Sequence, residues 1–491
     1  HCRGVCRIRK ERTAIFFRGC PFDKVKYEAL LEGLEIKEKK LYEVLSNKDF
    51  RIDSSFYTKE PKKNPDLIYA KIGEHLISSQ YGISIEMNTD SVGYPIYRMN
   101  EIHDMLCDLD VDKCADITQA EYDRFALKDR DVLFNRTNSF EWVGRTGIYY
   151  QNDDIQRTFA SYLVRLNPKD SILPEYLCAY LNCKYGEWDV KRRARQSINQ
   201  TNVNPEEVKE IEIPILDIDL QQKIQCCFTQ ANSLRILSQK TYSEAELISH
   251  NELGINSIAV TDVNVSQKRF SDFINSGRLD AEYYQPKYDE IIGTISQYPY
   301  GHDKIGNLYI LRDKNFLPND NARYKYIELS DIGVNGEISG CTYDYGSNLP
   351  SRARRIVHTG DIIISSIEGS LQSCAIITEE YDGALCSTGF YVLSPRIINS
   401  ETSLVLFKSS AIQALLKRAC TGTILTAMNK DEFMAINLPV INKDIQNKIA
   451  DIIRQSTILR SESKRLLNLA KTAVEIAIEQ GENTAMKLLT I

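Results

Sequence analysis

This 491-residue sequence predicts an α+β fold built twice in tandem, each copy ending in a long helix. Three observations carry that prediction. The segment from Ile213 to Ile224 recurs 225 residues later, from Leu438 to Ile449, and the register holds without a gap back to Asn204 and Asn429. Matched pairs include Glu207/Glu432, Ile211/Ile436, Pro214/Pro439, Asp219/Asp444, Gln221/Gln446, Lys223/Lys448 and Ile224/Ile449. Such a period is too long for a solenoid repeat and marks a duplicated domain. Ahead of each copy lie short apolar runs bounded by Gly, Asn, Asp and Pro, which read as strands and turns. After each copy comes a heptad stripe.

The elements follow in order. Between Asp23 and Leu45 the spacing of Val25, Leu30, Leu34 and Leu41 suggests helical or mixed structure. Phe50-Arg51-Ile52-Asp53-Ser54-Ser55-Phe56-Tyr57 is answered by Gly277-Arg278-Leu279-Asp280-Ala281-Glu282-Tyr283-Tyr284. Tyr97 to Ile102 is answered by Ile327 to Ile332, Asp131-Val132-Leu133-Phe134 by Asp361-Ile362-Ile363-Ile364, and Tyr162-Leu163-Val164 by Tyr391-Val392-Leu393. The offsets run 227, 230, 230, 229 and finally 225, so the copies differ by small loop insertions. Asp361 to Ser365 and Phe390 to Leu393 read as strands, and Pro174 to Leu181 and Leu404 to Leu416 as helices.

Leu220, Ile224, Cys227, Ala231, Leu234, Ser238, Thr241, Ala245 and Ile248 step alternately by four and three, and adding 225 gives Ile445, Ile449, Ile452, Ser456, Leu459, Ser463, Leu466, Ala470 and Ala473. One such stripe is an amphipathic helix on its own domain. Two in the same register favour a helix pair. Asn251 to Ser266 is polar and reads as the linker between copies.

Composition sets outer limits. Hydrophobic residues at 43% and charged residues at 26% are those of a globular protein, and the net charge of −6 excludes a uniformly basic coat while leaving local patches open. No apolar run approaches the roughly 20 residues that span a bilayer. Thirteen cysteines, an odd count without a secretory signal, read as reduced thiols in a cytoplasm. The chain opens at His1, and its first residues, with Cys2, Cys6 and several arginines, differ from the rest; a longer parent polypeptide is the expectation.

Catalytic motifs are not evident. Asp108 to Asp112 imitates a calcium loop, but Lys113 and Gln119 stand where Gly and Glu are needed. His103, Cys107 and Cys114 lack an evident fourth zinc ligand. Gly144-Arg145-Thr146-Gly147 and Gly383 to Gly389 lack phosphate-loop spacing. The polar features point to nucleic acid instead. Lys191, Arg192, Arg193 and Arg195 put four cations in five residues, followed by Ser197, Asn199 and Gln200; Arg352, Arg354 and Arg355 form a second cluster. Cations neutralise phosphates and amides reach base edges. Asn135 to Ser139 leaves a strand end as a polar loop carrying Arg136 and Asn138, with Arg145 beyond it, and Ser365 to Ser370 takes the same place with different residues. From the second copy Ser366 and Gln372 join the candidate DNA-contacting set. Arg193 is expected to meet a phosphate, so that Arg193→Ala lowers the salt dependence of binding.

With Asp131 to Ser139, Ser197 to Asn202 and the duplicated Ile-Pro-x(6)-Gln-x-Lys-Ile segments on view, the chain resembles the specificity subunit of type I restriction–modification systems over roughly residues 35 to 480. The resemblance implies two target recognition domains, each reading half of a bipartite site in double-stranded DNA, and long helices that pair antiparallel as a coiled coil and dock two methyltransferase subunits. S-adenosylmethionine, ATP and magnesium would sit on partner subunits, a motor–nuclease subunit would join in some assemblies, and this chain would hold no cofactor, no metal and no catalysis.

The expected boundaries are a lead over 1–34, recognition domain one over 35–203, the duplicated segment and helix over 204–252, a linker over 253–276, recognition domain two over 277–428, and the second segment and helix over 429–491. Two other readings stay open: the recognition part of a fused single-chain adenine methyltransferase or restriction enzyme, and a helix-mediated protein scaffold. Leu220 to Leu253 as a continuous helix would be roughly 50 Å long. That corresponds to half-sites on the order of 15 base pairs apart.

Overall fold

The computed structural model describes residues 5–9, 36–45, 51–61, 63–198, 200–254, 266–421 and 426–489. Much of the 1–34 lead, most of the 23–45 segment and the centre of the 251–266 linker lie outside them. The chain forms two compact units. Unit one runs to Ile236 and takes up again from Ser461, and unit two is Leu237–Arg460. The division falls inside both long helices, so each unit contains one part of each.

Unit one is built on a six-stranded sheet in the order Leu76–Tyr81, Leu163–Pro168, Asp131–Asn135, Thr146–Tyr149, Leu106–Cys107 and Ile102–His103. Asp131–Asn135 is central and wholly buried, because Val132, Leu133 and Phe134 face packed layers on both sides. Helices Pro174–Asn182 and Lys184–Arg193 cover one face. The other face carries a small sheet in which Tyr94–Tyr97 runs parallel to Thr158–Phe159.

Unit two repeats this with four strands, Tyr309–Leu311, Phe390–Pro395, Ile362–Ser365 and Cys374–Ile376. Its second sheet again contains a parallel pair, Arg323–Ile327 with Leu385–Ser387. The sheet register corrects one pairing. Val164 lies opposite Phe134 as Tyr391 lies opposite Ile364, so the offset there is 227 rather than 229. A slip of two residues keeps every side chain on its face, which is why pattern alone did not detect it. The helix expected over Leu404 to Leu416 is in fact two, Ser400–Lys408 and Ser410–Arg418. Ser409 takes an extended conformation and caps the second by accepting from the amide of Ile412.

The duplicated segment has one job in both units. Gln221, 1% exposed, donates to the carbonyl of Leu216 at 2.9 Å and accepts from the amide of Leu173 at 2.9 Å. Gln446 does the same with Ile441 at 2.8 Å and Asn399 at 2.9 Å. Each glutamine therefore satisfies buried backbone groups where a long helix begins.

Those helices are Ile218–Leu253 and Lys443–Gln480. Every stripe residue named from the sequence is buried or half-buried. In unit one Ser463 donates to the carbonyl of Ala231 at 2.6 Å, and the amide of Asp217 meets Glu482, so the two segments there run antiparallel. In unit two Ser238 donates to the carbonyl of Ser456 at 2.8 Å, and Ser456 returns the bond at 2.8 Å. Ser and Ala at these positions let the backbones approach closely. Arg235 fixes its helix to unit one through the carbonyl of Cys107 at 2.7 Å. Arg460, its duplicate, pairs with Glu337 of unit two at 2.8 Å.

Candidate nucleic-acid interface

In unit one the central strand ends at Asn135, and the chain turns into a three-stranded sheet of Thr137–Asn138, Thr201–Asn202 and Arg195–Gln196. Thr137, Asn202 and Arg195 lie side by side, as do Asn138, Thr201 and Gln196. Residues more than fifty positions apart in sequence are thus gathered on one rim. Ser197 closes the turn by donating its amide and hydroxyl to the carbonyl of Gln200, each at 2.8 Å. Ile198 is fully exposed at the tip, and Arg195 and Gln200 are exposed beside it. Asn199 lies outside the described residues.

Arg136 follows the strand end. Its guanidinium lies 5.0 Å from the ring centre of Tyr81 and donates to the carbonyl of Ser161 at 3.5 Å, while its buried Nε has no protein partner among the described residues. The Asn138 side chain accepts from the amide of Ser139 at 2.8 Å, which leaves its NH2 group to the rim. Arg145 stacks on Trp142 at 3.9 Å and donates to the carbonyl of Ile102 at 2.8 Å; desolvation lowers its pKa from the usual arginine value. Lys191 pairs with Glu187 at 2.6 Å and lies over Phe140 at 5.6 Å. The aromatic supports Tyr81, Phe140 and Trp142 were not selected from the sequence. Their signal there was an aromatic residue near cations, a pattern too common to separate from core packing.

Two expected contacts are corrected. Arg192 donates to Asp189 at 2.7 Å and to the carbonyl of Phe56 at 2.6 Å. Arg193, 6% exposed, binds Asp189 at 3.1 Å, Glu207 at 2.8 Å and the carbonyl of Glu210 at 3.2 Å. Their charges are consumed inside the unit, because two buried carboxylates, Asp189 and Glu207 on successive helices, need compensation. The cluster of four cations therefore divides into two structural arginines and two, Lys191 and Arg195, nearer the surface.

Unit two repeats the platform with other groups. Cys420–Thr421 pairs with Ala427–Met428, and Ile367 bridges to Ala427, so the loop after the central strand again joins a short strand pair. Arg352 is 59% exposed in its side chain and donates to Glu328 at 3.1 Å and to the Tyr326 hydroxyl at 3.3 Å. Its carbonyl accepts from the amide of Thr388 at 2.9 Å, and the next carbonyl along, that of Gly389, accepts from the amide of Ser366 at 2.8 Å and its hydroxyl at 2.9 Å. Arg352 and Ser366 thus flank the Thr388–Gly389 turn. Arg354 donates to the carbonyl of Ser351 at 2.9 Å, and Nη1 of half-buried Arg355 has no protein partner among the described residues. Gln372 is exposed, and its carbonyl is taken by Lys408 at 2.7 Å.

Around His103, Nδ1 is 2.9 Å from a carboxylate oxygen of Asp108, which raises the imidazole pKa. Cys107 and Cys114 are buried. Among the described residues no group of three or more His, Cys, Asp and Glu is arranged to hold a metal ion, and no helix is long and apolar enough to cross a membrane.

The fold and rim together define a duplicated domain in which each copy places a short strand pair beside the end of its central strand. Residues 305–469 match the family model described as the type I restriction modification DNA specificity domain. The putative type I restriction enzyme MjaX specificity subunit of Methanocaldococcus jannaschii is 29% identical over 145 residues, 29% of this chain and 34% of that protein. The type I restriction enzyme EcoKI specificity subunit of Escherichia coli K12 is 24% identical over 129 residues, 26% of this chain and 28% of that protein. The chain thus matches about a third of the length of these curated relatives.

Among solved structures, the type I restriction–modification S subunit from M. genitalium aligns over 88% of this chain and 98% of its own, with 13% identity and a TM-score of 0.38. The HsdS subunit from Thermoanaerobacter tengcongensis aligns over 86% and 98%, with 12% identity and a TM-score of 0.28. The family match over residues 305–469 and the curated relatives bear out the resemblance to type I specificity subunits.

Proposed function

We propose that the chain is the non-catalytic, DNA-binding specificity subunit of a type I restriction–modification enzyme, and that each unit reads one half of a bipartite site in double-stranded DNA. The observation that carries this reading is the repeated platform: one scaffold, built twice, displays Arg136, Asn138, Arg195 and Gln200 in one copy and Arg352 and Ser366 in the other. Equal frames with unequal rims suit two readers of two different half-sites. Guanidinium and amide groups supply phosphate contacts and bidentate base contacts. The long helices serve as the spacer and as docking surfaces for methyltransferase subunits, which bring S-adenosylmethionine, and a motor–nuclease subunit brings ATP and magnesium chemistry. The cytoplasm, where such an enzyme meets DNA, is the proposed location.

The test is a methylome. The chain is co-expressed with its methyltransferase subunit in a methylation-free host, and modified adenines are mapped by long-read sequencing. A new motif of two specified halves around an unspecified middle is expected. A soluble, assembled complex that modifies nothing would overturn the reading.

A further inference from the structure

Both units hold the base of the strand pair with an Arg-x-Asp segment followed by two aromatic residues. In unit one Arg51, 9% exposed, donates Nε and Nη2 to Asp53, each at 2.8 Å, and Nη1 to the carbonyl of Arg193 at 2.7 Å. Its guanidinium lies 4.6 Å from the Phe56 ring, where Arg192 stacks as well, at 4.4 Å. The Tyr57 hydroxyl closes the loop on the carbonyl of Arg51 at 2.8 Å. Arg193 ends the helix that leads into Arg195–Gln196.

In unit two Arg278 donates to Asp280 at 2.7 Å through both Nε and Nη2, and to the carbonyls of Arg418 at 3.4 Å and Cys420 at 3.1 Å. It lies over Tyr283 at 4.6 Å, and Arg418 stacks there at 4.2 Å and donates to the carbonyl of Tyr283 at 3.0 Å. The Tyr284 hydroxyl again returns to the carbonyl of the arginine, at 2.8 Å. A planar fork of five donors can saturate a carboxylate with one edge and reach carbonyls with the other. The carbonyls it reaches are those left open where a helix turns into a strand.

The strand that leaves the pair is tied as well. Glu207 and Glu432 are duplicates on the short helix that follows it. Glu207 is held by Arg193; in unit two Arg418 takes the place of Arg192 against the aromatic ring, the next residue is Ala419, and Arg278 itself reaches Glu432 at 3.2 Å. In unit two, entry and exit of the strand pair are therefore both fastened to one Arg-x-Asp segment, whereas in unit one Arg51 fastens the entry and reaches the exit through Arg193.

We propose that Arg51 and Arg278 are positioning residues for sequence recognition, each setting the strand pair of its own unit and thereby the specificity of one half-site. This rests on the reading of duplex DNA proposed above. Groups that read base edges lose discrimination when displaced by about half an ångström.

The experiment presents the full-length chain, co-expressed with its methyltransferase subunit, with a pool of random-sequence DNA duplexes, and the bound fraction is sequenced. The unaltered chain is expected to enrich a split motif. Arg278→Ala should flatten preference in one half by about tenfold and leave the other half intact, and Arg51→Ala should do the reverse. Arg278→Lys, which keeps the charge and cannot span Asp280 and two carbonyls, should flatten the same half as Arg278→Ala. Asp280→Asn serves if Arg278→Ala does not fold. A loss of folded protein alone would reduce the amount of bound DNA while the motif in that DNA kept both halves; this outcome, or flattening of both halves by either variant, overturns the proposal. Absence of any motif with the unaltered chain overturns the DNA reading itself.

Discussion

The buried frame of the two units is nearly the same in both, while the rims differ. Gln221 and Gln446 bind equivalent carbonyls and amides at nearly equal distances. Asn135 to Ser139 and Ser365 to Ser370 leave equivalent strands with different side chains. Backbone groups buried where a helix starts must be satisfied, and few side chains can do it from that position. A rim faces water and ligand, so its chemistry is free to differ. Even within the frame one substitution has been absorbed: with Ala419 in place of an arginine, Arg278 supplies the contact to the glutamate.

Experiments that separate frame from rim follow in order of expected effect. Arg193→Ala removes the guanidinium bound to buried Glu207 and one of the two bound to buried Asp189, and is expected to destabilise unit one by about 3 kcal/mol in chemical denaturation. Its neighbour Arg195, exposed, should change stability by less than about 0.5 kcal/mol on replacement by Ala. A similar loss at both positions would erase the distinction between structural and displayed arginines.

Gln446→Ala leaves buried backbone groups unpaired and should cost about 2 kcal/mol, with Gln221→Ala close to it in its own unit. Hydrogen exchange of the Leu173 and Asn399 amides would locate each effect. Inserting one heptad into each long helix should leave both specified halves of the methylated motif unchanged and widen the unspecified middle by about three base pairs. Unchanged spacing would remove the spacer role.

At the rim, Arg195→Ala should lower the slope of log affinity against log salt by about one, with the motif retained, if that side chain meets a phosphate. The smallest signal concerns the thiols. Cys226 is exposed, whereas burial raises the pKa of Cys183 and Cys374 to about 12, so a thiol reagent at neutral pH should label Cys226 well before either.

Much of the frame was legible in the sequence. The 225-residue repeat located both capping glutamines, and the alternating stripe located the buried face of both long helices, because heptad spacing and a shared register are one-dimensional signals. The Arg-x-Asp repeat at Arg51 and Arg278 was visible too, although its partners were not: they stand about 140 residues away on the helix and strand that it fastens. The break at Ser409 falls in the polar interruption Lys408-Ser409-Ser410, which apolar spacing on either side bridges as one helix. The register of Val164 was hidden because a two-residue slip preserves alternation.

The sequence by itself determined that this protein is a duplicated α+β domain with paired long helices, since repetition and periodicity survive without coordinates. Only the tertiary structure decided which cations are displayed. Lys191 to Arg195 is one run of charge in sequence, but Arg192 and Arg193 face Asp189 and Glu207 inside the unit while Arg195 reaches the rim. A cation is drawn to whichever compensating carboxylate the fold places against it, and that placement is set by packing between elements far apart in the chain.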